Sequence, residues 1–410
     1  MTMTSMDVQN VPIPEQQELL KYRGHVLGLD GLRGVAILMV LAAHFLQEGL
    51  FKQYYPMLGP VLTKFSLMGL RGVELFFVLS GFLITGILLD SKGGPGFFRN
   101  FYARRVLRIF PLYYGTLIVV FWVLPLLISL DPAAREISRH QGWFWSYLSN
   151  FPGNPGHGWD GSNVYKMGHF WSLAVEENFY LVWPLVVFLA DRRVLRWIAV
   201  GLICVGFAAR AANAATGDHA YWLFRWSTVS RVDALALGAM IALMLRMKLD
   251  QGWLIRHARY GVVGLGVIFV AASMIPRRAP EALVTFIHAS VAIWFFACVL
   301  ILSIRTNSSG FIAKCMKNRV LITFGKYSYG LYVIHGILRP AIQAWIPPEK
   351  LIAIVRVPML GLVLYTLIAA GLCLLLAMLS WHLYESQFLK LKRHFEYTPK
   401  PAARGATVNG

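Results

Sequence analysis

The chain has 410 residues, of which 57% are hydrophobic and only 14% charged, with a formal net charge of +19. A soluble protein of this length carries nearer a quarter charged residues, so a soluble multidomain architecture is excluded as the first reading. In a soluble protein the basic excess would suggest nucleic acid. Here it reads as loop lysine and arginine that hold a membrane topology, and no nucleic-acid partner is expected.

Apolar runs of about twenty residues recur along the chain, the length that crosses a bilayer as helix. They predict an all-α, polytopic membrane helix bundle of about ten transmembrane helices, near 33–50, 70–90, 106–130, 169–190, 196–213, 226–246, 259–275, 283–304, 319–340 and 357–385. The bundle is expected over residues 25–390, between tails at 1–24 and 391–410. The first twenty residues are polar and lack a signal-peptide core, and the composition beyond about 395 predicts disorder. With both termini on the cytoplasmic side, Lys and Arg divide between inner and outer segments about two to one, as a multi-pass protein of the cell membrane requires. Four cysteines, Cys204, Cys298, Cys315 and Cys373, show neither disulfide nor zinc spacing, and no metal is expected.

The first span contains Gly28-Leu-Asp-Gly-Leu-Arg-Gly-Val-Ala-Ile-Leu-Met-Val-Leu-Ala-Ala-His-Phe45. Arg33 stands at its entrance and His44 lies eleven residues on, about 16 Å of helix, which is roughly half the hydrocarbon thickness. A titratable group past the middle of a bilayer is costly and marks function by default. Its spacing is not that of a dinucleotide fingerprint, and no Walker motif, Gly-x-Ser-x-Gly elbow or His-Glu-x-x-His occurs. Val78-Leu-Ser80-Gly81 reads as a small-residue packing site rather than a nucleophile.

Further polar groups sit in or beside the spans, each costing about 2.5–3.5 kcal/mol at mid-helix for Arg or Asp, so they are expected to face inward and pair. Glu74 opens the second span. Arg105 and Arg108, three apart, share a helix face; they either fix orientation at the inner surface or clamp phosphate with their planar forks. Ser172, Glu176 and Tyr180 fall on one face at four-residue spacing, with Trp171 beside them. Glu176 is either a helix-dipole partner or a hydrogen-bond acceptor in the chemistry. Arg231 and Asp233, two apart, each pair with another helix. Ser328, Tyr332 and His335 share a side, His335 being either a second acid–base group or a histidine satisfied by a tyrosine hydroxyl. His382 and Glu385 read as an orienting pair at the last helix's inner end. The Trp-rich loop 131–168, with Trp143, Trp145, Trp159, Pro152 and Pro155, either anchors at the interface or forms a lid for an acceptor.

Together the motifs resemble the acyltransferase-3 family of integral-membrane acyltransferases. The resemblance rests on Leu29-Asp-Gly-Leu-Arg-Gly34 with the Arg33-x10-His44 spacing and Gly72-Val-Glu-Leu-Phe-Phe-Val-Leu-Ser-Gly-Phe-Leu83. It continues through Arg105-Val-Leu-Arg108, Trp171-Ser-Leu-Ala-Val-Glu-Glu177, Arg231-Val-Asp233 and Tyr327-Ser-Tyr-Gly-Leu-Tyr-Val-Ile-His335. Each motif is weak alone; six in order over residues 25–390 are specific. Asn178 and Gln387 depart from the pattern. Some members carry a C-terminal extracytoplasmic hydrolase-like domain, which this chain is expected to lack.

The resemblance implies an acyl-CoA co-substrate, acetyl-CoA foremost, with no bound cofactor, and a hydroxyl of a carbohydrate or cell-envelope glycan as acceptor. His44 titrates near neutrality and suits the base that acyl transfer to an alcohol needs. Glu74 or Glu176 would orient it. Arg33, Arg105 and Arg108 would hold the donor, with Trp171, Ser172, Tyr180 and His335 as further substrate contacts. The competing class is a proton-coupled transporter or exporter of a glycan or lipid-linked intermediate, using the same groups as a relay.

Overall fold

A computed structural model describes residues 27–46, 48–151, 164–216, 226–247, 251–273, 281–304 and 310–397. The expected tail at 1–24, the predicted disorder past 397, and Pro152, Pro155 and Trp159 of the long loop lie outside the described residues. Among the described residues the structure is helical with no strand. An apolar environment leaves a backbone no partner but itself, and helices close that account within each segment.

The principal helices are α1 (Leu27–Phe45), α2 (Gly72–Ser91), α3 (Phe97–Ile118), α4 (Phe170–Leu189), α5 (Arg192–Thr216) and α6 (Val232–Met244). They continue with α7 (Gln251–Ser273), α8 (Glu281–Ser303), α9 (Arg319–Lys326), α10 (Ser328–Trp345) and α11 (Pro358–Ser380). Among the described residues eight helical segments are, by length and composition, long and apolar enough to cross a membrane. The remaining two expected spans take other forms. The span expected at 226–246 is the 13-residue apolar helix α6. The one expected at 319–340 is broken at Tyr327 into α9 and α10.

Two close backbone crossings set the centre of the bundle. A Cβ on Gly31 or Gly34 would collide with the carbonyls of Met316 or Leu321, and one on Gly325 with Asp30 O, so α1 and α9 meet backbone to backbone. Likewise Gly81 of α2 faces Leu235 O, and Gly238 of α6 faces Val78 O. The glycines of the first motif thus serve packing by close approach, and Gly81 is the small-residue contact expected of it.

Buried ion pairs tie the same helices. Arg231, at the start of α6, bonds Glu74 of α2 at 2.8 Å, and Asp233 pairs with Arg210 of α5 at 2.5 Å. Both residues of Arg231-Val-Asp233 therefore reach neighbouring helices, as their two-residue offset requires. At the opposite end of α2, Lys92 donates to the carbonyls of Val187 and Ala190 at 2.8 and 2.6 Å, closing the C-terminus of α4. Beyond Leu127, where the third span ends, the chain folds into short helices, and Pro132–Arg139 is capped by Asp131 accepting from the Ala134 amide at 2.6 Å. Tyr113 and Tyr114 pin this loop by donating to Phe144 O and Trp145 O. Trp145 stacks on Tyr114, so that face of its ring serves packing.

Candidate active site

Five helices converge on one cavity of about 120 Å³. Arg33 reaches it from α1, and Phe76 and Ser80 from α2. Arg105 and Arg108 line it from α3, Ser172, Glu176 and Tyr180 from α4, and Ser328, Tyr329 and Tyr332 from α10. Six of the sequence-derived site residues, distributed over 148 positions from Arg33 to Tyr180, thus share a single chamber.

The chamber is electropositive for a structural reason. Arg33 is held by Asp30 at 2.9 Å. Arg105 lies over the Tyr180 ring at 5.9 Å and Arg108 over the Trp381 ring at 5.2 Å. Among the described residues neither Arg105 nor Arg108 forms an ion pair or a hydrogen bond, and Arg105 Nε is buried without a partner. Both guanidiniums are half-buried and neither is taken up by a direct ion pair, so their planar forks are available to an anionic ligand. Of the carboxylates near them, Glu176 lines the cavity and accepts from Ser80 Oγ at 2.7 Å and from the Tyr180 hydroxyl at 3.2 Å.

Three histidines lie beyond this chamber. The His335 ring stands edge-on to His44 with centroids 4.9 Å apart, and 4.6 Å from His169. His335 is fully buried. Its Nδ1 lies 2.8 Å from Tyr332 O and 3.2 Å from Leu331 O. Carbonyls only accept, so Nδ1 carries the proton and Nε2 keeps the lone pair. That Nε2 is buried with no partner among the described residues. His335 is therefore held by backbone carbonyls, not by a tyrosine hydroxyl. His44 is oriented in the same way, Nδ1 lying 2.8 Å from Val40 O.

Tyr332 and Ser172 form the partition between the two groups. Both line the cavity, their hydroxyls are 2.5 Å apart, and both lie within 3.2 Å of the His169 carbonyl. The Tyr332 ring packs against His335 and His169 at 5.6 and 5.5 Å. The order is arginines, hydroxyl partition, histidines, and α1 runs unbroken past all three.

Neither glutamate bonds His44. Glu74 is bridged by Arg71 at 3.0 Å and Arg231 at 2.8 Å, and Glu176 by Ser80 and Tyr180. Trp171 stacks on Arg231 at 5.2 Å and lies against Phe77 and Trp226 rather than in the cavity lining. His382 and Glu385 point to different partners, Tyr327 and Ser380. Outside the spans, burial raises the Tyr147 phenol above its ordinary range, so this loop tyrosine, stacked on the Tyr113 ring, remains neutral.

Sequence reasoning passed over His169 and Ser80. His169 precedes the Trp171 motif at the same end of the bundle as His44, and comparing depths along α1 and α4 would have flagged it. Ser80 was read with Gly81 as packing, but adjacent helical residues are about 100° apart: Gly81 meets α6 while Ser80 meets Glu176.

Apolar helices enclosing an unpaired arginine pair and buried histidines define a multi-pass membrane protein with an internal polar reaction chamber. The acyltransferase domain family matches residues 26–381, and the chain belongs to that family, acyltransferase-3. Among its relatives is O-acetyltransferase OatA of Staphylococcus aureus (strain NCTC 8325 / PS 47), 27% identical over 337 residues, which are 75% of this chain and 49% of OatA. Another, from strain COL and with O-acetyltransferase in its name, is 26% identical over 343 residues, 76% of this chain and 50% of its own. The chain spans about half the length of these curated relatives. No solved structure matches it.

Proposed function

We propose that the protein moves an acyl group, acetyl foremost, from cytoplasmic acyl-CoA to a hydroxyl of a carbohydrate or cell-envelope glycan at the cell membrane. The observation that carries this reading is the arginine pair, Arg105 and Arg108, which among the described residues forms no direct ion pair or hydrogen bond and shares its chamber with Arg33. Coenzyme A supplies phosphates for it, and planar guanidinium forks suit them. The acetyltransferase names of the relatives support an acetyl group.

His44 Nδ1 is committed to Val40 O, which presents Nε2 as the base. Nε2 takes the proton of the acceptor hydroxyl as its oxygen attacks the thioester carbonyl. The thiolate of coenzyme A leaves and recovers a proton from the imidazolium, restoring neutral His44. The partition of Ser172 and Tyr332 stands between the arginines and the histidines, so the donor's arm passes these hydroxyls to deliver its carbonyl. The arm is long enough for the roughly 16 Å of α1 that separates Arg33 from His44. Glu176 holds Ser80 and Tyr180 in the chamber wall; Glu74 joins α2 to α6.

The test is acetyl transfer from labelled acetyl-CoA by protein reconstituted in vesicles. His44→Ala abolishes transfer with membrane protein level intact, and Arg105→Ala with Arg108→Ala raises the donor KM at least tenfold, about the worth of one charge-assisted contact. Retained transfer in the first variant removes His44 from the mechanism. An unchanged KM in the second removes the arginines from donor binding.

A further inference from the structure

The hydroxyl partition carries more hydrogen-bonding protons than it has places for. The His169 carbonyl, at the start of α4, is reached by the Ser172 hydroxyl at 3.0 Å, the Tyr332 hydroxyl at 3.2 Å and the Ser172 amide at 3.3 Å. A carbonyl oxygen offers two lone pairs, so three N–H and O–H groups compete for two positions. The hydroxyl oxygens themselves lie 2.5 Å apart, and one donates to the other. Both side chains are buried, and both line the chamber that holds Arg105 and Arg108.

We propose that Tyr332 is a catalytic residue whose hydroxyl, supported by Ser172, stabilises the oxyanion formed on the thioester carbonyl during acyl transfer. The inference rests on His44 acting as base towards a thioester, and it adds the group that meets the negative charge. In the step, the acceptor oxygen bonds to the thioester carbon while its proton passes to His44 Nε2. The carbonyl's π pair moves onto its oxygen. Ser172 donates to the phenol oxygen, and the phenol O–H turns from His169 O to the oxyanion without giving up its proton. The oxyanion pair then rebuilds the carbonyl as the C–S bond breaks, the thiolate takes the proton from His44, and the phenol turns back to His169 O.

Three observations support this role. The partition stands between the arginines and the histidines, where a carbonyl delivered to His44 passes; the Tyr332 ring packs on His335 at 5.6 Å, and His335 on His44 at 4.9 Å. The crowding at His169 O makes the phenol's turn inexpensive, because that carbonyl keeps the Ser172 amide. A shared bond to a neutral oxygen is exchanged for a charge-assisted one, about twice as strong, and the gain arises only in the transition state. Both hydroxyls also meet the N-terminal end of α4, a 20-residue helix whose dipole favours negative charge there. A phenol, with an ordinary pKa of about 10, stays protonated at neutral pH and is a stronger hydrogen-bond donor than an alcohol.

The competing role for the two hydroxyls is to pin α10 to α4, and kinetics per folded molecule separate the two. Full-length protein, in membrane vesicles that keep the producing cells' own envelope glycan, is supplied with labelled acetyl-CoA. Tyr332→Phe keeps the ring against Phe76, His169 and His335 and deletes the hydroxyl. Its kcat falls about a hundredfold, the low end for an oxyanion contact, while the acetyl-CoA KM stays within about twofold. Ser172→Ala lowers kcat by about tenfold, and the double variant falls no further than Tyr332→Phe, because Ser172 acts through the phenol. A lower melting temperature for Tyr332→Phe with kcat per folded molecule unchanged makes the hydroxyls a pin and overturns the proposal. So does a raised acetyl-CoA KM with unchanged kcat, or two losses that simply multiply in the double variant. If His44→Ala still transfers, the base reading falls and the oxyanion role with it; if His44→Ala is inactive and Tyr332→Phe is normal, the role of Tyr332 alone falls.

Discussion

Replacing Glu74 by alanine removes a carboxylate that accepts from Arg231 at 2.8 Å and from Arg71 at 3.0 Å. The Glu74 and Arg231 side chains are 3% and 5% exposed, so water does not take the carboxylate's place. Removing one partner of a buried pair costs about 3–5 kcal/mol. Arg231 retains its position over the Trp171 ring at 5.2 Å, a contact of about 0.5–2 kcal/mol, which places the expected loss at about 3–4 kcal/mol. At 1.4 kcal/mol per decade that is two to three powers of ten in the folded ratio. Thermal stability by fluorescence-detected size exclusion reads the loss, and acetyl transfer per folded molecule reads the chemistry. Glu74→Ala melts early but transfers at near the normal rate per folded molecule. The converse holds for Glu176→Ala, whose carboxylate binds only the neutral Ser80 and Tyr180 hydroxyls. Its stability falls by about 1–2 kcal/mol while transfer drops. Because the cost to Glu74→Ala comes from charges left behind, Glu74→Leu with Arg231→Met recovers most of the stability. A Glu74→Ala protein as stable as the parent, or a stable one without activity, would refute the assignment of Glu74 to the helix interface.

Two further outcomes follow from the geometry. His335→Phe preserves a ring beside His44 and His169 but deletes the unpartnered Nε2; turnover falls at least tenfold with thermal stability within about 1 kcal/mol of the parent, whereas unchanged turnover would make His335 a packing residue. Gly81→Val drives a side chain into Leu235 O of α6, so the yield of folded protein falls by an amount equivalent to at least 1–3 kcal/mol, as overpacking costs. A normal yield would mean that α2 and α6 separate freely.

How much could be read in advance differs from residue to residue. Arg33, Arg105, Arg108, Ser172, Glu176 and Tyr180 were selected because charge and hydroxyl groups in apolar helices need an interior, and all six line the same cavity. That Arg231 and Asp233 would reach different helices followed from their offset of two. Their partners, Glu74 and Arg210, did not. Glu74 and His44 lie within about 5 Å of depth by helical rise, but rise says nothing about the direction a side chain takes around the helix axis. Across the bundle Glu74 turned to Arg231.

The sequence by itself determined the class of fold, because the cost of exposing backbone polar groups to lipid leaves apolar twenty-residue segments few forms but helices. It also determined the stock of reactive groups, since each polar residue tolerated within those segments stands out against an apolar background. The tertiary structure alone decided who meets whom: the break at Tyr327 between α9 and α10, the arginine pair turned into the chamber with no direct ion pair among the described residues, and the three histidines set beyond a partition of two hydroxyls. Helical periodicity orders side chains along and around one axis. The rotation and crossing of neighbouring axes come from packing, here from glycines that let backbones touch at α1–α9 and α2–α6, and those crossings turn scattered motifs into one chamber.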